Sequence, residues 1–126
     1  MTIIEAISTV DNLVPNTYLL TDKIRWLSQL DAQITAEILD THEPDPDTEV
    51  VPFVPYNENT DQNTVLVVQF PYDDIYVYFL EMQIGLFNRE SEEYNKALAL
   101  YNAAYTSFRN YWNKYHMPKT AHNRYF

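Results

Sequence analysis

SEEYNKALALYNAAYTSFRNYWNKYH, residues 91–116, is the stretch that decides the fold. Tyr94, Ala97, Leu98, Tyr101, Ala104, Tyr105, Phe108, Trp112 and Tyr115 recur at steps of three and four, the period of one helical face. Ser91 is placed to cap the helix, with Glu92 and Glu93 in a first turn where the helix dipole favours carboxylates. Lys114 falls near the far end, where cations are favoured, and Pro118 stops continuation. At about 1.5 Å per residue such a helix spans about 40 Å, the scale of a whole domain. Leu100 and Tyr111 lie off the stripe, so part of this helix is expected to contact another subunit.

Three shorter helices are predicted upstream. Ile3, Ile4, Ala6, Ile7, Val10 and Val14 mark one over 2–14, with Thr2 as N-cap and Pro15-Asn16 as its stop. Ile24, Leu27, Leu30, Ile34 and Ile38 mark a second over 21–40, capped by Thr21, with Lys23, Gln29, Asp31, Gln33 and Glu37 assigned to its polar side. Pro71 is read as opening the third, with Asp73 and Asp74 in its first turn. Ile75, Tyr78, Phe79, Met82 and Leu86 line one face of it and Tyr76, Leu80 and Phe87 another, the pattern of a central helix. Gly85, the single glycine, would let a neighbouring helix approach closely or would simply be a weak spot.

Between the second and third helices, Pro44, Pro46, Pro52 and Pro55 exclude a continuous helix. Glu43, Asp45, Asp47, Glu49, Glu58 and Asp61 make this Pro-rich loop acidic. Val50, Val51, Phe53 and Val54 are expected to form a short strand, paired as a β-hairpin with Val65, Leu66, Val67 and Val68. The predicted fold is mainly α: a bundle of about four helices with a long C-terminal helix, an acidic loop and this hairpin. A helical domain over 1–117 and a short tail over 118–126 are the expected divisions.

The formal net charge is -10 and unevenly placed. Residues 1–88 carry 15 acidic groups against Lys23 and Arg25, whereas 89–126 carry three against six basic ones. An acidic body repels a phosphate backbone, which argues against sequence-wide nucleic-acid binding. Aromatic residues make up 15%, with 11 tyrosines, more than one small dry core accommodates. Several are expected at interfaces, where such rings are enriched. Without cysteine there is no disulfide, thiolate chemistry or sulfur-ligated metal, and an intracellular origin is expected. The start lacks the basic and apolar segments of a signal peptide, and no run is long enough for a membrane span.

Catalytic signals are sparse. His42, His116 and His122 have no partner at a recognised metal spacing. Asp45, Asp47 and Glu49 alternate, but calcium loops need a longer ligand set and usually a turn glycine. Asp74 and Glu81 share a helix face as solvated acids commonly do. Ser8, Ser28, Ser91 and Ser107 lack a base and an oxyanion pocket, and one glycine cannot build a phosphate-gripping loop. No catalytic residue, cofactor or metal is assigned, and a non-enzymatic protein is expected.

The blocks ISTVDNLVPN (7–16), KIRWLSQLD (23–31), PYDDIYVY (71–78), YNKALALYN (94–102) and YWNKYH (111–116) resemble, in order and spacing, the small head-to-tail connector proteins of tailed bacteriophages and Gram-positive prophages. The resemblance spans residues 7–118. It implies a helical adaptor (a head-completion protein) forming a ring, commonly of twelve copies, beneath the portal. The ring extends the DNA channel, lets DNA pass without specific binding, and seats neck or tail proteins. The implied location is the virion neck, with host cytoplasm before assembly. The implied interface residues are Trp26, Tyr72, Tyr101, Tyr105, Trp112 and Tyr115, with Arg124, Tyr125 and Phe126 in a tail that docks on the portal. Two other readings compete: an acidic DNA-mimic or inhibitory module, and a small metal-dependent hydrolase built around His42. Salt-sensitive binding to a basic partner by an isolated monomer would mark the former, a tightly bound metal the latter.

Overall fold

A reciprocal cap opens the first helix, α1 (Ile3–Leu13): Glu5 N–H donates to Thr2 Oγ1 at 3.2 Å and Thr2 N–H to Glu5 Oε1 at 3.1 Å. Ile3, Ala6, Ile7 and Val10 form its buried face. The second helix, α2 (Leu20–Ile34), begins one residue before Thr21, which therefore sits inside the first turn and does not cap it. It runs on into a π-helical turn, Thr35–Leu39, closed by Asp40 N–H to Thr35 O at 2.8 Å. The third, α3 (Asp74–Phe87), starts three residues after Pro71; Tyr72 N–H donates to Gln69 O in the turn before it. The fourth, α4 (Ser91–Tyr115), has 25 residues; Glu90 is its N-cap, so Ser91 is its first helical residue. The computed structural model describes residues 1–44, 47, 49 and 51–119, and these statements refer to them.

α3 is the hub, as its apolar girth demands. It alone packs against the other three helices, most extensively against α4. Ile75, Tyr76, Leu80 and Ile84 are sealed between Ile3, Ile7 and Val10 of α1, Leu27, Leu30 and Ile34 of α2, and Tyr101 and Phe108 of α4. Gly85 is where α3 and α4 close. A Cβ there would stand 2.9 Å from Tyr94 N and 3.1 Å from Tyr94 Cα, so the absent side chain makes room for the backbone of α4. A three-residue turn then reverses the chain, with Arg89 in the left-handed region at φ 59°.

The expected hairpin is absent: no strand forms among the described residues, and the fold is all-α. Pro52 removes a backbone donor in the middle of the first expected strand and Pro55 another just past its end, so it cannot sustain a ladder. Val51 and Val54 are more than 70% exposed, and Val50 lies outside the described residues. The other segment pairs instead with the start of the chain. Val65 bridges Thr2, Ile3 N–H donates to Thr64 O at 3.1 Å, and Leu66 N–H donates to Met1 O at 2.9 Å. Past α4, Pro118 bridges His42, while Glu43 N–H reaches Met117 O and Lys119 N–H reaches Thr41 O. No helix among the described residues is long and apolar enough to cross a membrane.

Candidate functional site

Asp31 is fully buried, although its charge had placed it on the polar side of α2. It is four residues after Leu27 and three before Ile34, so helical geometry carries its carboxylate into the core. Tyr76 Oη donates to Oδ1 at 2.6 Å; Tyr56 Oη and Val67 N–H donate to Oδ2 at 2.6 and 3.1 Å. Val68 N–H donates to Tyr76 Oη at 2.6 Å, and Tyr56 N–H to Ser28 Oγ at 2.9 Å. Burial pushes the Asp31 carboxyl above the usual carboxylate range, against the pull of its three donors, and no cation lies within ion-pair distance among the described residues. Burial and the Asp31 charge push both tyrosine hydroxyls well above the phenol range, keeping them protonated donors. This network does what the hairpin would have done: it holds the irregular 56–68 segment against α2 and α3.

On that platform lies an apolar groove of about 570 Å³. Its walls are the π-turn (Thr35, Leu39, Asp40), the extended run Val51–Tyr56, Val65 with Val67, and Trp112. Val67 and Trp112 also wall a neighbouring depression of about 300 Å³, completed by Phe70, Tyr72, Phe108 and Tyr111. The two together make one face at the C-terminal end of α4. Phe70 is 85% exposed there, and Tyr115 and Met117 are more than 60% exposed. An aromatic ladder runs along the helix: Tyr72 stacks on Tyr111 at 4.8 Å, Tyr111 meets Tyr115 at 5.2 Å, and Trp112 stacks on His116 at 3.7 Å.

The expected interface residues separate into three groups. Trp26 is buried, stacked on Phe87 at 5.6 Å with Tyr18 edge-on, and Tyr101 is buried against Phe79. Tyr72, Tyr105 and Trp112 are half-buried, and Tyr115 is exposed. Tyr105 Oη donates to Glu37 Oε2 at 2.5 Å, tying α4 to the π-turn. Arg124, Tyr125 and Phe126, like His122 and Asp45, lie outside the described residues. Tyr111, read from the sequence as off the buried stripe, is exposed on this face, and Phe70 joins it without having been expected.

Lys23 is also buried, contrary to its assignment to solvent; its Nζ reaches Asp11 Oδ1 at 2.7 Å. Burial pushes the Asp11 carboxyl up, but Lys23 and the Asn16 amide outweigh it and hold it below the usual range. His42 is buried, and its Nδ1–H donates to Ile38 O at 2.6 Å, so this ring nitrogen serves the π-turn. Among the described residues no three His, Asp or Glu side chains converge as a metal-ligand set. No family model, curated protein or solved structure matches the chain.

Proposed function

We propose that this chain is a structural subunit that docks on other protein subunits through the face at the C-terminal end of α4, and that it works as a head-to-tail connector in a phage neck. The observation that carries the docking reading is the pair of adjoining apolar depressions that share Val67 and Trp112, with exposed Phe70 and Tyr111 in the lining and exposed Tyr115 against Tyr111. Contiguous apolar surface with aromatic rims marks protein contact sites, because rings bury large area at small conformational cost. The neck assignment rests on the order of the five sequence blocks. In that setting copies form a ring beneath the portal, and the acidic 43–61 segment repels passing DNA.

The test is electron microscopy of the chain mixed with the portal protein from the same genome. Ring density beneath the portal is expected. The triple variant Phe70→Ser, Tyr111→Ser, Tyr115→Ser removes exposed rings, so it is expected to keep its circular dichroism and lose assembly. Unimpaired assembly of that variant refutes the face; absence of any complex with the portal refutes the neck. Binding instead to a basic partner, weakening steeply with salt, would favour the acidic-mimic reading.

A further inference from the structure

We propose that the outward side of α4 pairs with the same side of α4 in a second copy of this chain, the two helices lying antiparallel about a two-fold axis at Ala103. The proposal does not rest on the neck reading, and none of the α4 residues it uses lines either docking depression.

α4 is partnered on one side. Among the described helices it packs on α3, touches the π-turn and meets no other. Ala97, Tyr101 and Phe108 form its buried side. At about 100° per residue, Ala99, Ala103, Thr106 and Asn110 lie on the opposite side, and all four are exposed. Their steps of four, three and four are those of a coiled-coil seam. From Ala97 to Phe108 the helix carries no charged residue, although the chain's net charge is -10. A surface helix ordinarily turns charged side chains to water. This one presents side chains small enough for a second helix axis to approach to about 8 Å.

Charge decides what covers that side. Glu92 stands eleven residues before Ala103 and Lys114 eleven after it, on the same side of the helix. An antiparallel pair centred on Ala103 sets Glu92 of each copy against Lys114 of the other. A parallel pair sets Glu92 against Glu92 and Lys114 against Lys114. Exposed ion pairs add little affinity, but they fix direction and register. Apolar contact comes from Leu100, which is 47% exposed and flanks the seam. With Tyr78, Ala103 and Ser107 it lines a groove of about 360 Å³ between α3 and α4. The two-fold axis keeps the grooves of both copies on one side of the seam. Leu100 of each copy therefore lies over Ser107 of the other and covers its groove. The surface is self-complementary, as an isologous dimer requires.

The test uses the full-length chain. Sedimentation is expected to show single chains pairing as concentration rises. Ala103→Arg places a cation against its own symmetry mate at an exposed position, so it is expected to keep its circular dichroism and stay a single chain throughout. Because the sequence has no cysteine, one introduced thiol reports register. Ala103→Cys is expected to form a disulfide-linked dimer in air, since the axis brings that position against itself. Ala99→Cys is expected to link about tenfold more slowly, because its two copies are offset by about 12 Å along the helix, beyond the roughly 7 Å that a disulfide spans. A chain that stays single at every concentration overturns the proposal. So does a dimer that survives Ala103→Arg, or equal linking at the two thiol positions. A dimer lost in the Phe70→Ser, Tyr111→Ser, Tyr115→Ser variant and kept in Ala103→Arg belongs to the docking face, which overturns this surface and leaves that reading intact.

Discussion

Replacing Asp31 by Asn keeps the side-chain shape and removes only the charge and one acceptor. The amide oxygen, set at the Oδ2 position, still accepts from Tyr56 Oη and Val67 N–H. The amide nitrogen then faces Tyr76 Oη where Oδ1 had been. Both the amide and Val68 N–H now donate to that hydroxyl, and its own proton loses its acceptor. An orphaned buried donor costs about 1–3 kcal/mol. Removing a buried charge with no cation beside it offsets part of that, leaving a net destabilisation of about 1–2 kcal/mol near neutral pH. Against a domain stability of about 5–15 kcal/mol the protein stays folded. The sign of the pH dependence is the sharper test. The folded-state pKa of Asp31 is raised, so the native state holds this proton more tightly than the unfolded chain. Its contribution is full below the unfolded carboxyl pKa of about 3.9 and is lost as pH rises through the raised folded value. Urea unfolding, followed by far-ultraviolet circular dichroism at pH about 3.5 and about 7, should show a larger gap between wild type and Asp31→Asn at the acid end. A gap that widens toward neutral pH refutes the reasoning, because the network would then stabilise the carboxylate more than burial penalises it.

Two further outcomes are expected. Gly85→Ala gains about 1 kcal/mol of helix propensity but drives a Cβ to 2.9 Å from the Tyr94 backbone nitrogen, an overpacking that costs about 1–3 kcal/mol, so thermal melting should show a net loss of up to about 2 kcal/mol; a raised melting temperature would contradict the close contact. Lys23→Met removes the ammonium that holds the Asp11 carboxyl down, so NMR titration of Asp11 should show its pKa rising. The depressed Asp11 contributes stability above the unfolded carboxyl pKa and loses it as pH falls through the folded value, opposite in sign to Asp31; the variant should lack that acid-side loss. An Asp11 titration that is unchanged would mean that the Asn16 amide alone sets it.

Elsewhere, legibility in the sequence followed how local the determining force is. Helical period is a property of neighbouring residues, so α1, α2, α3 and α4 were readable, and so was the Thr2 cap, whose partner Glu5 lies three residues away. Helix starts were less so: Thr21, Pro71 and Ser91 carry the right chemistry, yet each helix begins where packing sets it. The valines of 50–54 and 65–68 had strand composition, but β pairing requires a partner edge. Prolines denied one to the first run, and the second found Thr2 and Met1 at long range. Of the site, Tyr72, Trp112 and Tyr115 were legible as aromatic residues on a long helix or at a helix start. Tyr111 was legible as off the buried stripe, whereas Phe70 joined it on one face only when the loop folded back beside α4.

The long helix that begins at Ser91 is the sequence's own statement: a stripe at steps of three and four specifies one apolar helical face. An acidic body, an aromatic surplus and a central third helix also follow from residue type and period alone. Tertiary structure decided the fate of the charges. At Asp31 and Lys23 the helical phase pointed inward, and partners 12 to 45 residues away made burial tolerable by hydrogen bonds. A charged residue is normally solvated because an unpaired buried charge is expensive; only the folded chain could bring the tyrosines, backbone amides and the Asp11 carboxylate that change that balance.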